Sequence, residues 1–372
     1  MSDENKEQEN SDSLKRRSSL YQASRSEFDF ISRIKARALT PSNITKALNS
    51  SLRTGHSSLL KGIGDDAAII RQNGGRDLVI TADLLVENID FKREWMSARL
   101  LGHKALAVSL SDIAAMGARP RYAMLSIGVP QRIWKTDYVD EFYEGFFELA
   151  GAHQVMLIGG DVSRTPAHVV IDSIVIGEVE RGRAVLRAGA RPGEHIFVTG
   201  SLGGAAAGLK LLESGERLQK SKARSGKARV REKLLLRHLR PEPRVEWGAW
   251  LGEQRLATAM IDISDGLSSD LAHLCQESGV GARVDAARIP IEKALINAGE
   301  RDDDALSLAL DGGEDFELLF TVKPRNLKKS PQEIGGVPVT YIGDVTEQSN
   351  VIKLVKNSRT RTLRPAGFTH FY

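Results

Sequence analysis

The chain has 372 residues and the composition of an ordinary globular protein, so it is long enough to bury two hydrophobic cores. Its net charge of +4 arises within residues 210–240, which hold eleven basic and three acidic residues, and this local charge argues against a nucleic-acid-binding protein. A single cysteine, Cys275, excludes an intramolecular disulfide and fits a cytoplasmic protein, and no apolar run reaches the roughly 18 residues of a membrane span.

The first part of the chain predicts a polar tail followed by a domain of alternating strands and helices. Residues 1–27 are charged and poor in apolar residues, which predicts a disordered tail. Apolar residues at helical spacing predict a short helix at 28–38, where order begins. Further strands are predicted at 77–81, 122–129, 155–158 and 169–178, and helices at 98–116 and 138–150. We expect this domain to end near residue 180.

The second part, residues 181–372, predicts another α/β domain. A turn at Arg191-Pro192-Gly193 opens it, and residues 214–230, rich in Lys, Arg, Ser and Gly, predict a solvated surface segment. Strands are predicted at 196–199, 259–262, 316–322 and 337–342, and helices at 200–212 and 264–277. The sequence therefore predicts two domains of mixed strands and helices.

Five acidic motifs lie at the ends of these apolar runs or on an apolar helix, where a buried carboxylate is unfavourable unless a cation meets it. They are Gly64-Asp65-Asp66, Thr81-Ala82-Asp83, Ser111-Asp112, Gly159-Gly160-Asp161 and Asp262-Ile263-Ser264-Asp265-Gly266. Each motif alone is also compatible with an ordinary turn or helix cap. Together they predict a site for Mg²⁺, which takes oxygen ligands and commonly bridges to substrate phosphates.

Two of these motifs carry a more detailed prediction. Asp161 and its two preceding glycines follow a strand, which suits a loop that passes close to a phosphate. Ser264 stands before the helix predicted at 264–277 and is expected to be its N-cap, with free backbone N–H groups behind it. A sixth acidic site, Glu314, follows two glycines and is either a contact for a cationic substrate or part of a plain turn.

Several common enzyme classes are excluded by missing motifs. The sequence has no G-x-x-x-x-G-K-[ST] phosphate loop and no protein-kinase signature. It also lacks the G-x-S-x-G turn of a serine hydrolase. Phosphate chemistry in this chain must therefore use another arrangement.

The six acidic segments occur in an order that resembles the thiamine-monophosphate kinases, a family of the aminoimidazole ribonucleotide synthetase-like superfamily. The segments that carry the resemblance are residues 62–68, 81–87, 104–118, 158–161, 262–267 and 312–318, with the ending at 367–371. Relatives in the superfamily share single segments, whereas the full set in this order is typical of the kinases. The resemblance spans about residues 28–372.

The resemblance implies a fold, an activity and an assembly. It implies the two-domain synthetase-like fold, with an N-terminal domain at 28–180 that binds ATP and Mg²⁺ and joins its sheet to a partner's in a homodimer. The C-terminal domain would be α/β. The implied reaction is ATP-dependent phosphorylation of thiamine phosphate to thiamine diphosphate, the last step of its biosynthesis, by direct transfer assisted by several Mg²⁺ ions.

The same resemblance implies roles for individual residues. The metal ligands it implies are Asp66, Thr81, Asp83, Asp112, Asp161, Asp262 and Asp265, of which Asp112 and Asp265 are also expected to be catalytic. The residues expected to bind ATP are Tyr143, Gly160, Asp161, Arg187 and Ser264. The residues expected near the thiamine moiety are Asp90, Glu314 and Phe368.

Two positions depart from the family pattern. Ala82 stands where the family usually has a second Thr, so one side-chain oxygen is lost near the metals. Asp90 stands where the family usually has a His that contacts the substrate. The second departure bears on thiamine phosphate binding more than on the ATP and metal site.

Two other functions compete with this interpretation. Another ATP-dependent synthetase of the same superfamily would act on a formyl or amide substrate, and the segment at 312–318 argues against it. A nucleic-acid-binding protein would use residues 210–240, but this stretch lacks interleaved aromatic residues. We therefore expect small-molecule partners only, with no nucleic acid and no membrane.

Overall fold

The computed structural model describes residues 58–219, 225–329 and 331–368. The predicted tail at 1–27, the predicted helix at 28–38 and the last four residues lie outside the described residues. Within the described part, residues 58–368 cluster as one unit that contains two β-sheets.

The first sheet has six strands and uses residues before position 181. Its strands are β1 (Leu59–Lys61), β2 (Ala68–Arg71), β3 (Arg76–Val86), β4 (Arg119–Pro130), β5 (Met156–Thr165) and β6 (Val170–Glu180). They are ordered β1-β2-β3-β6-β4-β5, and all neighbours are antiparallel except β4 and β5. Strand β5 therefore stands at an edge of this sheet.

The second sheet has eight strands and follows the first in the chain. Its strands are β7 (His195–Thr199), β8 (Ala257–Ile263), β9 (Gly281–Asp285), β10 (Glu317–Val322), β11 (Glu333–Ile334), β12 (Val337–Thr346), β13 (Ile352–Lys356) and β14 (Arg359–Thr362). The order is β14-β13-β9-β12-β7-β10-β8, with β11 added to β12. Only β9 and β13 run parallel among its described pairs, so the mixed fold is closer to α+β than to a parallel α/β fold.

The helices pack between and around the two sheets. They are α1 (Ala98–Ala115), α2 (Gln131–Trp134), α3 (Tyr138–Ala152), α4 (Gly204–Glu213), α5 (Gly226–Leu239), α6 (Val245–Glu253), α7 (Leu267–Ser278), α8 (Lys293–Ala298) and α9 (Asp302–Asp311). Short 3₁₀ turns occur at Ala286–Arg288 and Pro324–Lys329. Among these described helices, none is both long and apolar enough to cross a membrane.

Helix α1 is the centre of the arrangement. It packs against β3 and β6 of the first sheet, against β8 of the second, and against α3 and α6. It is buried on nearly every side, and its buried residues include the polar Lys104, Ser109 and Ser111. Buried polar groups need hydrogen-bond or ion-pair partners, so these three side chains indicate specific contacts of α1 with neighbouring segments.

The close crossing of α1 and α3 depends on two glycines. A Cβ at Gly102 would overlap the carbonyl oxygen of Phe142, and a Cβ at Gly145 would overlap that of Arg99. The aromatic residues predicted on one face of α3 are buried at this crossing, including Phe142 and Phe146. The predicted helices at 98–116 and 138–150 are thus confirmed, with ends shifted by at most two residues.

Two strands are longer than the sequence predicted, and this changes the position of acidic motifs. Strand β3 continues to Val86, so Thr81 and Asp83 lie inside it and not after its end. It continues because β6 pairs with it along its whole length. Likewise Gly160 and Asp161 lie inside the edge strand β5, where a loop was expected. The expectation of a loop is wrong because Gly160 pairs with Leu125 of β4. The two backbones lie so close that a Cβ at Gly160 would overlap the carbonyl oxygen of Leu125.

The prediction that Ser264 caps the next helix is also wrong. Helix α7 begins at Leu267, after a turn whose Gly266 has a left-handed φ of 118°. The backbone N–H groups of Asp265 and Gly266 donate to the carboxylate of Asp270, at 3.2 and 3.0 Å. Asp270, in the first turn of α7, therefore accepts the hydrogen bonds that were expected to go to Ser264.

The remaining predictions for the second half agree more closely. The predicted buried side of the helix at 264–277, including Leu271 and Leu274, is buried in α7. Residues 214–230 contain the connection between α4 and α5 and the first turn of α5, and residues 220–224 lie outside the described part. Strand β6 ends at Glu180 and β7 begins at His195, and the proposed division into domains near residue 180 stays a prediction.

Candidate active site

Three carboxylates from distant parts of the chain meet at the junction of the two sheets. Asp66 precedes β2, Asp112 lies in the last turns of α1, and Asp262 lies near the end of β8. One oxygen from each lies within 4.8 Å of the others. Asp66 and Asp262 are buried, and Asp112 is half-buried. We call these residues the carboxylate cluster.

Burial and mutual repulsion make this cluster unfavourable as three anions. Burial raises the pKa of Asp112 well above its usual range, and Asp83, Asp262 and Asp66 raise it further. Burial and the neighbouring Asp66 raise the pKa of Asp262 to about 7. Burial also raises the pKa of Asp66, although a nearby arginine opposes this shift. A divalent cation would relieve both effects.

The donor set fits Mg²⁺. All three ligand atoms are carboxylate oxygens, which Mg²⁺ prefers, and ligands lie at about 2.1 Å from this ion. Within the described residues, Asp66 Oδ2 is buried and has no hydrogen-bond partner. Such an atom is rare in a folded protein unless a ligand meets it, so the cluster is a candidate metal centre.

Hydroxyl groups orient the acidic side chains. Thr81 donates a short hydrogen bond to Asp112, and Ser111 donates one of 2.6 Å to Asp262. Asp83 does not belong to the cluster itself but lies beside it, where it accepts a hydrogen bond of 2.6 Å from Ser109. Burial, together with Asp172, raises the pKa of Asp83 to about 6.

Arg187, predicted to bind ATP, lies at the cluster. Its Nε and Nη2 atoms donate to Asp66 Oδ1 at 3.1 and 2.5 Å. Burial would lower the pKa of the guanidinium, but Asp66 and Asp262 outweigh this effect and raise it. Arg187 therefore supplies a fixed positive charge beside three acids.

The structure does not bring every predicted metal or ATP residue into the cluster. Asp161 is exposed on the edge strand β5, opposite Ser126 of β4. Gly160 precedes it in the same strand. Tyr143 lies on α3, in contact with the rings of Phe142 and Phe147.

The turn that follows Asp262 joins the cluster to two of the predicted substrate residues. The N–H of Glu314 donates to the carbonyl of Ser264 at 2.7 Å, and the N–H of Phe368 donates to that of Asp265 at 3.2 Å. Gly313 packs so closely here that a Cβ would lie 2.5 Å from the Ser264 oxygen. Phe368 is 49% exposed beside this turn.

Glu314 is held by two side chains that sequence reasoning missed. Lys104 Nζ lies 2.7 Å from its Oε1, and His238 Nδ1 lies 2.8 Å from its Oε2. Burial would raise the pKa of Glu314, but Lys104 and His238 lower it to about 2. The available signal was Lys104 itself, a charged residue within a largely apolar helix.

Asp90 has a structural partner of its own. Its Oδ2 accepts a hydrogen bond of 2.7 Å from the N–H of Val86, at the end of β3. The carboxylate thus closes a turn, which a histidine at this position would not do in the same way. Ala82, the other departure from the family pattern, is exposed within β3.

Comparisons with known proteins agree with this architecture. Residues 64–179 match the N-terminal domain of AIR synthase related proteins, and residues 191–356 match the C-terminal domain. The matched regions thus contain almost all of both sheets.

Individual relatives narrow the class. The chain is 38% identical over 319 residues to a thiamine-monophosphate kinase of Bacillus subtilis, covering 85% of this chain and 95% of the relative. It is 40% identical over 314 residues to the Escherichia coli (strain K12) protein of that name, covering 83% and 91%.

Solved structures give the same result. The Stenotrophomonas maltophilia thiamine-monophosphate kinase has a TM-score of 0.68 at 38% identity, covering 85% of this chain and 96% of that one. A complex of AaThiL with AMPPCP and TMP has a TM-score of 0.71 at 29% identity, covering 90% and 98%. The chain belongs to the thiamine-monophosphate kinase family of the AIR synthase related proteins.

Proposed function

We propose that this protein transfers the γ-phosphoryl group of ATP to the phosphate of thiamine phosphate, which yields thiamine diphosphate and ADP. The observation that carries the proposal is the meeting of Asp66, Asp112 and Asp262 from three distant segments at one point. Family membership supports it, since the relatives are named for this activity. The complex of a relative with AMPPCP and TMP supports both substrates.

The reaction needs little covalent help from the protein. An oxygen of the thiamine phosphate attacks the γ-phosphorus of ATP, a new P–O bond forms, and the bond to the β–γ bridging oxygen breaks. ADP leaves with that electron pair. A phosphate monoester is already largely ionised at pH 7, so no residue has to remove a proton from the nucleophile. The protein's task is to position two anionic molecules and offset their repulsion.

The carboxylate cluster is the part of this chain that would hold Mg²⁺. When bound, the ion supplies positive charge that offsets phosphate repulsion and stabilises the transferring group. We assign Thr81, Asp83, Asp161 and Asp265 to further Mg²⁺ ions, with Asp112 and Asp265 as the catalytic ligands. Two observations support this assignment. Thr81 and Asp83 lie beside Asp112 of the cluster, and Asp265 lies three residues after Asp262.

The remaining predicted residues divide between the two substrates. Arg187 is placed to meet ATP phosphates because it already provides a cation at the cluster. Gly160, Asp161, Tyr143 and Ser264 complete the proposed nucleotide contacts. For thiamine phosphate we propose Glu314 and Phe368, which are joined to the turn after Asp262 through the backbone. Asp90 is the third proposed contact.

We also propose that the enzyme is a homodimer and that it works in the cytoplasm. The dimer is supported by exposed apolar side chains on the first sheet, which include Leu84, Tyr122 and Met156. Met156 pairs with Tyr122 across β4 and β5, and β5 is the edge strand of this sheet among the described residues. The single buried cysteine suits a reducing compartment.

The rival function, an ATP-dependent synthetase with another substrate, has weaker support. Relatives at 38–40% identity that cover most of both chains carry the kinase name. No feature of the described site favours a formyl or amide substrate over a phosphate.

The test is ADP release from ATP and Mg²⁺, with thiamine phosphate present or omitted, followed by chromatographic identification of the product. We expect ADP and thiamine diphosphate in equal amounts, and no release once EDTA removes the metal. An exposed acid outside the site provides the control, and Asp302→Asn should retain full turnover. An equal rate of ADP release with and without thiamine phosphate would refute the proposal.

A further inference from the structure

Lys104 is among the most deeply buried charged side chains in the described part of the molecule. Only 1% of it is exposed, although a buried ammonium group is strongly unfavourable without a partner. Its partner is Glu314, at 2.7 Å. Replacing such a pair by apolar residues often leaves a protein equally stable, so stability alone does not explain it.

Glu314 is fixed from three directions. Lys104 of α1 holds one carboxylate oxygen, and His238 of α5 holds the other. The backbone N–H is bound to Ser264, and the residue has a left-handed φ of 64°. A non-glycine residue is uncommon in this conformation, and the surrounding contacts must hold it there. The carboxylate therefore has one orientation before any ligand arrives.

Lys104 also lies on the helix that positions the carboxylate cluster. Ser111, which binds Asp262, follows it by seven residues, and seven residues make nearly two full helical turns. Both side chains thus leave the same face of α1, at points about 10 Å apart along its axis. One rigid helix consequently sets the separation between Glu314 and the metal-binding acids.

The charges define what Glu314 can recognise. Its single negative charge is already balanced by the Lys104 ammonium, so it has little net charge left to attract a cation. Each carboxylate oxygen has two lone pairs, and the ion pairs occupy one direction at each oxygen. What remains is a preoriented hydrogen-bond acceptor. This suits an N–H donor of the substrate better than a bare positive charge.

We propose that Lys104 and His238 are positioning residues for substrate selection, which hold Glu314 as a preformed acceptor for the amino group of thiamine phosphate. This inference rests on the proposed function, in which Glu314 contacts the thiamine moiety. Neither residue touches ATP in this scheme. Their loss should therefore affect the two substrates unequally, which a purely structural role would not do.

The first experiment compares Lys104→Met, Glu314→Gln and the double variant in steady-state kinetics. We expect Lys104→Met to raise the KM for thiamine phosphate about tenfold, equivalent to 1.4 kcal/mol, with the KM for ATP unchanged. Because Lys104 acts through Glu314, adding Lys104→Met to Glu314→Gln should have almost no further effect. The double variant also removes both buried charges together, so it stays folded even if the single lysine variant does not.

His238 offers a matched pair of variants. Asparagine retains an N–H donor near the position of Nδ1, whereas leucine does not. We expect His238→Leu to raise the KM for thiamine phosphate severalfold and His238→Asn to remain close to the wild type. The same ordering should hold for thiamine phosphate binding measured by calorimetry.

The results separate this inference from the function on which it rests. If the wild-type protein forms no thiamine diphosphate, the proposed function fails and the inference fails with it. If the wild type is active but Lys104→Met changes the KM values for ATP and thiamine phosphate equally, only the inference is overturned. Additive effects of Lys104→Met and Glu314→Gln would overturn it as well.

Discussion

The hydroxyl of Ser111 donates a hydrogen bond of 2.6 Å to Asp262, a residue 151 positions later in the chain. It joins the central helix α1 to a strand of the second sheet at the carboxylate cluster. The orientation of Asp262 therefore depends on a residue that is not itself a proposed metal ligand.

Replacing this serine should weaken metal binding more than folding. Hydrogen bonds that orient metal ligands are worth about 10–100-fold in affinity, so Ser111→Ala should raise the Mg²⁺ concentration for half-maximal activity by at least about tenfold. Mg²⁺ titration of ADP release measures this directly. Ser214→Ala, which removes an exposed hydroxyl from the end of α4, is the control and should leave the titration unchanged. An unchanged titration for Ser111→Ala would show that Asp262 needs no such support.

Asp112→Asn should abolish turnover and still stabilise the metal-free protein. Burial and three neighbouring acids disfavour the ionised form of Asp112. Asparagine removes that repulsion and keeps an acceptor for Thr81. A gain of about 1 kcal/mol would raise the melting temperature in EDTA by about 1–2 °C, because a chain of this length has a large unfolding entropy. Mg²⁺ should stabilise the wild type and have little effect on the variant. A variant that keeps its activity would remove Asp112 from the metal centre.

The pKa of Asp262 predicts how stability changes with pH. It is raised from 3.8 to about 7 in the folded protein, so between these values the folded state holds a proton that the unfolded chain has lost. The metal-free protein should therefore lose stability as pH rises toward 7, and this contribution is fully lost above it. Bound Mg²⁺ should reverse the trend, because it needs the deprotonated carboxylate.

Comparing the wild type with Asp262→Asn isolates this effect from other titrating groups. In EDTA, melting temperatures between about pH 5 and 7 should fall more steeply with rising pH for the wild type than for the variant. Parallel curves would mean that Asp262 titrates in its ordinary range. The Mg²⁺ concentration required by the wild type should also increase as pH drops below 7.

The sequence predicted the composition of this site better than its local geometry. Carboxylates at the ends of apolar runs indicated where Asp66, Asp112 and Asp262 would converge, because such residues need a partner when buried. The long helix α1 was predictable from its apolar spacing and from Gly117 after it, which has a left-handed φ of 67°. These patterns involve residues close together in the sequence, so they can be recognised without the structure.

What could not be predicted depends on contacts between distant residues. The extent of β3 is set by β6, whose Ser173 pairs with Asp83 from 90 positions later, and no local pattern around Asp83 indicates this pairing. The pairing of Lys104 with Glu314 requires contact between α1 and the segment before β10, and this contact forms only in the tertiary structure. The cap at α7 was misassigned because Asp270, inside the helix, competes with Ser264 for the same donors.

The exposed face of the first sheet leads to a last prediction, about assembly. Met156 and Leu84 are 63% and 61% exposed, and Ile158 is 51% exposed on β5, the edge strand among the described residues. Large apolar residues grouped in this way favour contact with another chain. Met156→Glu should place a charge in that contact and shift the protein from dimer to monomer, as measured by light scattering with size-exclusion chromatography. Ile296→Glu, at an exposed apolar residue on α8 of the other domain, is the matched control and should leave the mass unchanged. A wild-type protein that elutes as a monomer at micromolar concentration would contradict the proposed homodimer.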